Sequence, residues 1–211
     1  MQRPPVIPLL SHCPPPLDPV TPAAYDAGMG TFAIFVTDGI EDIPFRDTLH
    51  WFRRQGMEPT LAGVPGVGRV FLQGAPGGLD VVALDTWCAD PAAVLGLVLP
   101  ESPTVRHEVM RPVVTRCLEQ LEAAGTPLLT WGGGIIACAF AGRLVRRHVA
   151  GPHESIPDLL RTEALVDEEA VVVDWPWITA RSAIDLPRAL QAAFSPPEAP
   201  SPHRNTLRPE Q

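Results

Sequence analysis

"LLTWGGGIIACAFAG", residues 128–142, decides the fold. The apolar residues up to Trp131 read as a buried strand and residues 135–142 as a packed helix, which leaves Gly132, Gly133 and Gly134 in the turn between them. A turn without side chains at a helix N-terminus leaves backbone amides and open volume, suited to an anion, an enolate or a carbonyl oxygen. Trp131, just before the glycines, is placed either to stack on an apolar ligand or to pack in the core.

Outward from this turn, strands alternate with helices. "TFAIFVTDG" is a continuous apolar run of the kind a parallel strand buried on both faces requires. "EDIPFRDTLHWFRRQG" reads as a helix with Asp42 as its cap, Pro44 in its first turn, Phe45, Leu49 and Phe52 on one face, and Gly56 closing it. "EPTLAGV" is the next strand, and the glycines from Gly63 to Gly78 mark a short hairpin. "VLGLVLPES" is a central strand, "VMRPVVTRCLEQLEAAG" an amphipathic helix, "AVVVDWPWITAR" a strand and "LPRALQAAF" the last helix. Alternation along that strand places Trp175 and Trp177 on one side of the chain. The order predicts an α/β three-layer sandwich around a mostly parallel sheet, of flavodoxin-like type.

The 211 residues, 45% of them hydrophobic, suffice for one domain with a full core, expected over residues 30–194. Prolines crowd residues 1–29 and 195–211, which are expected to be disordered, and Met29 offers a second start just before the first strand. A formal charge of -8 argues against a nucleic-acid partner, and the basic clusters Arg53-Arg54 and Arg146-Arg147-His148 read as solvated helix ends. Prolines break the short apolar stretch Val6 to Leu10, so neither a signal peptide nor a membrane span is expected. Cys13, Cys88, Cys117 and Cys138 show no metal-ligand or redox spacing, which fits reduced thiols in the cytoplasm and no metal. No phosphate-cradling motif is present, and no cofactor is expected.

In open α/β sheets, ligands sit beyond the carboxyl ends of the strands, which here gathers Asp38 to Pro44, Pro100 to Pro103 and Trp131 to Gly134. These loops, with "VTDGIEDIPFRDTLHWFRRQGMEPTLAGV", "AGRLVRRHVAGPHE" and "DWPWITARSAIDLPRALQAAF", resemble the ThiJ/PfpI superfamily within the class I glutamine amidotransferase-like fold. The resemblance covers residues 30–194 and implies a homodimer. It places Gly132 where the family carries its nucleophilic cysteine, Pro44 where many members carry an acid, and Pro100-Glu101-Ser102 where the family reads Pro-Gly-Gly. The family's thiol chemistry is therefore not expected. Cys138 lies six residues into the helix and reads as a buried apolar thiol.

What remains is acid/base chemistry. Glu41 matches an acidic position of the family and is the first candidate to move a proton; at a helix N-terminus it also has a plain electrostatic reading. Glu101 is placed either to pair with it or to lie on the surface, and His153 falls within one residue of the family's pocket histidine. Glu41, Glu101 and His153 are the candidate catalytic residues; Trp131, Gly132, Gly133, Gly134 and Ser102 are the candidate substrate-binding ones. The expected function is a cofactor-independent isomerase, cyclase, hydratase or lyase acting on a small carbonyl-containing metabolite. The alternative is a non-catalytic ligand-binding or regulatory protein. The Arg-only, Ala-, Gly- and Pro-rich composition suggests specialised metabolism as the setting.

Overall fold

The computed structural model describes residues 30–90 and 93–194; the Pro-rich ends, and the disorder expected of them, lie outside the described residues. In chain order the elements are β1 (Thr31–Phe35), α1 (Asp42–Arg54), β2 (Thr60–Gly63), β3 (Arg69–Phe71), β4 (Gly78–Asp80), β5 (Val82–Ala83) and α2 (Leu84–Trp87). Then come β6 (Val94–Leu99), α3 (Val105–Val109), α4 (Pro112–Ala123), β7 (Leu128–Trp131), α5 (Gly133–Phe140) and β8 (His148–Ala150). The chain continues through α6 (Ile156–Arg161), β9 (Leu165–Asp167), β10 (Val171–Asp174), β11 (Trp177–Ala180) and α7 (Leu186–Ala193).

Seven strands build the central sheet in the order β10-β11-β7-β6-β1-β2-β5, parallel throughout except for the β10–β11 pair. Its central strands β1, β6, β7 and β11 are buried on both faces, as their uninterrupted apolar runs require. On one face Ile34, Val98 and Leu129 pack with Phe45 and Phe52 of α1 and Leu186 and Leu190 of α7. On the other, Phe35, Leu97, Leu99 and Leu128 pack with residues of α3, α4 and α5. The result is the three-layer α/β sandwich expected. Among the described residues no helix is long and apolar enough to cross a membrane.

Several elements differ from expectation for local reasons. The helix expected from Val109 to Gly125 starts only at Pro112: Arg111 before the proline is extended, with φ -66° and ψ 134°, and α3 ends at Val109. The helix after the three glycines stops at Phe140, and Gly142 follows at φ 73°. "AVVVDWPWITAR" is a hairpin, with β10 and β11 antiparallel and a cis peptide between Trp175 and Pro176. The two tryptophans therefore do not share a side. Trp177 is fully buried with the α4 and α5 layer and its Nε1 donates to Glu122 at 3.2 Å, whereas Trp175 packs against the α7 layer. Asp42 does not cap α1: Glu41 holds the cap position without a side-chain bond, and Asp42 accepts Arg46 Nε at 2.6 Å. Arg147 is no solvated helix end, because its guanidinium bonds Glu122 at 2.7 Å and Asp174 at 3.4 Å.

Candidate active site

Strand register assembles the site. Leu99 of β6 lies opposite Thr130 of β7, and Thr130 lies opposite Thr179 of β11, all in parallel pairing. Two residues further along each strand come Glu101, Gly132 and Arg181, so three adjacent strands deliver these residues at one level. This is the carboxyl edge of the sheet. It adjoins the β1–β6 pair, where the chain stops adding strands on one side and starts adding them on the other.

Gly132 makes the sharp strand-to-helix turn at φ 52° and ψ -128°, a conformation that side-chain-bearing residues rarely adopt. The space beside it is already taken. A Cβ on Gly132 would overlap Glu101 Oε2 and lie 2.9 Å from Glu101 Cδ, and one on Gly133 would lie 3.0 Å from Oε1. The Glu101 carboxylate therefore lies across the turn, at the N-terminal end of α5, which is the positive end of its dipole. Gly134 serves another purpose: its missing Cβ lets α5 close against β6, where Leu99 O would lie 2.7 Å away.

In front of the turn opens a cleft of about 470 Å³. Glu101, Gly132, Gly133 and Ile136 form one wall, Pro152 to Ser155 a second, and Arg181, Ser182 and Ala183 a third. His153 stands in a short 3-10 turn after β8, and β8 is pinned to β11 where Thr179 Oγ1 accepts the Ala150 N–H at 2.8 Å. The cleft thus brings together Glu101, His153, Gly132 and Gly133 from the expected set.

The other expected site residues lie elsewhere. Trp131 is 2% exposed and packs in the α1 and α7 layer. Side chains alternate along β7, so Trp131 points away from the face on which α5 lies. Ser102 is occupied as a structural tie: its Oγ accepts the Val105 N–H at 3.0 Å and bonds Thr37 Oγ1 at 2.5 Å, joining the loops after β1 and β6. Gly134 is buried against β6 rather than open to ligand. Glu41, exposed as Glu101 and His153 also are, differs from them in not lining the cleft. The backbone around it bridges to Gln73 in the segment between β3 and β4, with Gln73 N–H donating to Ile40 O at 2.9 Å and Asp42 N–H to Gln73 O at 3.2 Å.

The cysteines offer no substitute nucleophile among the described residues. Burial pushes the Cys138 thiol up to about 12, and the hydrogen bond between Cys88 and Cys117 pushes the Cys88 thiol up and pulls the Cys117 thiol down, but all three are buried and none lines the cleft. Nor do the described residues contain a group of three or more His, Cys, Asp or Glu side chains able to hold a metal ion.

Arg181 went unnoticed in the sequence. Its Nη2 donates to the Glu168 carbonyl, its Nε is buried without a hydrogen-bond partner, and none of the ion pairs among the described residues includes it. The available signal was its place directly after an apolar strand whose end is level with the glycine turn.

No protein-family model matches the chain, and no curated protein does either. Solved structures do. Drosophila melanogaster DJ-1beta superposes with a TM-score of 0.68 at 21% identity, over 79% of this chain and 89% of its own. A ThiJ/PfpI domain protein from Brachyspira murdochii gives 0.65 at 15%, over 79% and 94%. A protein described as putative protease I from Bacteroides thetaiotaomicron gives 0.64 at 14%, over 79% and 98%. With a mostly parallel sheet of this order, a strand-to-helix elbow at Gly132 and these structural neighbours, the chain has the fold of the DJ-1/ThiJ/PfpI superfamily.

Proposed function

We propose that the protein is an acid/base enzyme that moves a proton on a small carbonyl-containing metabolite, with no covalent intermediate. The observation that carries this reading is the Glu101 carboxylate lying across the side-chain-free turn Gly132–Gly133, with His153 on a second wall of the same cleft. Glu101 takes the proton from the carbon next to the carbonyl. The electron pair left behind moves into the carbon–carbon bond, and the carbonyl oxygen receives a hydrogen bond, then a proton, from His153. The resulting enol is the common intermediate of isomerisations, eliminations and cyclisations, so one site of this form serves any of them.

Proton abstraction is measurable before the reaction is known. A panel of small ketones and oxo acids incubated with the protein in heavy water should exchange the hydrogen next to the carbonyl faster than without it. Glu101→Gln should lower that rate by roughly 100-fold or more, in the range by which positioned acids and bases contribute. Glu41→Gln should leave it within about two-fold, as expected of a surface carboxylate outside the cleft. If Glu41→Gln abolishes exchange and Glu101→Gln does not, the proton is moved from the first loop and the assignment of Glu101 fails. If the wild-type protein binds members of the panel without exchanging them, it is a binding protein and the acid/base reading falls.

A further inference from the structure

Arg181 stands at the junction of two cavities. It lines the cleft that holds Glu101, and with His153 it also lines a second cavity of about 540 Å³, walled by Ile156, Leu160 and Val166 and rimmed by Asp167 and Glu168. Among the described residues its one hydrogen bond goes to a backbone carbonyl, not to a carboxylate, and its Nε is buried without a partner. A guanidinium held by one edge, with unspent donors beside a cavity, suits a planar anion that accepts two parallel hydrogen bonds.

We propose that Arg181 is the anchor for a carboxylate on the ligand, and that the ligand is a small monocarboxylic acid with an apolar arm. The proposal rests on the reading of the cleft as an acid/base site and names the class of molecule that enters it. Three features define that class. The carboxylate is set by Arg181. The apolar arm is set by the second cavity, where Ile156, Leu160 and Val166 offer hydrocarbon. The limit to one negative charge is set by the acidic groups around the anchor: Glu101 and Glu154 in the first cleft, Asp167 and Glu168 in the second. A second carboxylate on the ligand would meet one of these four. His153, on the wall shared by both cavities, lies where the carbonyl of a molecule bridging them would pass.

The test uses three probes and needs no turnover: 2-oxohexanoate, its methyl ester, and the dicarboxylate 2-oxoadipate, each titrated into the full chain by protein-observed NMR. The wild-type protein should bind 2-oxohexanoate at least about 10-fold more tightly than either other probe, the discrimination expected when one charge-assisted pair is lost. Arg181→Gln should bring the acid down to the affinity of the ester while leaving the ester unchanged, and that unchanged value also certifies the fold. Arg181→Lys, which keeps the charge but not the planar fork, should fall between the two. Equal binding of acid and ester by the wild-type protein, or failure of both to bind, overturns the proposal. So does a preference for the acid that survives Arg181→Gln. The two readings fail separately, because Glu101→Gln should lose hydrogen exchange yet keep its preference for the acid over the ester.

Discussion

Alanine at Gly132 must adopt a φ of 52° and push its methyl group into the Glu101 carboxylate. A carboxylate at the end of a flexible side chain moves aside, so the cost in stability is chiefly the backbone held at positive φ with ψ -128°, about 1–3 kcal/mol. The cost in function is larger, because the displaced group is the proposed base. Gly134→Ala inverts this order. There the methyl group would overlap Thr130 Oγ1, a fully buried hydroxyl bonded to Leu99 O, and lie 2.7 Å from Leu99 O itself, a backbone atom of a central strand that cannot swing away, so overpacking costs more than about 3 kcal/mol. Urea denaturation should therefore rank Gly134→Ala as the less stable variant, while hydrogen exchange per folded molecule should rank Gly132→Ala as the less active. If Gly132→Ala keeps full exchange activity, the carboxylate does not work from the turn.

At the scale of elements, the parallel pair β8–β9 supports the wall that carries His153, and a histidine closes that pair. His148 Nδ1 lies 3.0 Å from Asp167 Oδ2, and the hydrogen bond to Asp167, reinforced by its charge, raises the His148 pKa above the ordinary 6.5. Because the folded-state value is the raised one, the stabilisation is fully present below pH 6.5 and is lost as pH climbs through the folded value above it. An NMR titration should place the His148 midpoint above 6.5, and Asp167→Asn should return it toward 6.5. The stability advantage of wild type over Asp167→Asn should shrink as pH rises from about 6 toward 9, the range that an upward-shifted histidine spans. A midpoint unchanged by Asp167→Asn would mean that the pair does not form in solution. The same element was misread in sequence as a helix end, since three residues after an arginine pair carry too little periodicity to declare a strand. The long apolar runs of β1, β6 and β7 were legible for the opposite reason: burial on both faces leaves no polar interruption. Side-chain direction was harder to read. Trp131 was expected beside the ligand because it is next to the glycines in sequence, yet alternation along β7 turns it into the opposite layer. Arg181 was invisible as a site residue because its meaning depends on the register of β11 against β7, and register is a property of the pair, not of either strand.

For the whole molecule, the two core layers decide which chemistry the chain retains. Cys138 is fully buried, Cys88 is 1% exposed and Cys117 is 4% exposed, all in the layer that holds α3, α4 and α5. A thiol in that position reacts only when the structure opens, and for a core the opening is close to global unfolding. Iodoacetamide should therefore label these three cysteines together in the native protein, at a rate at least about 1000-fold below that of the unfolded chain, as a stability of several kcal/mol implies. Mass spectrometry resolves the sites, and added urea should raise all three rates in step with the unfolded fraction. Hydrogen exchange on the carbonyl panel should persist over the period in which Cys88, Cys117 and Cys138 stay unlabelled. One of the three labelling quickly and alone would reveal a local opening that exposes a thiol. If exchange stopped as that site was modified, a cysteine and not Glu101 would be carrying the chemistry.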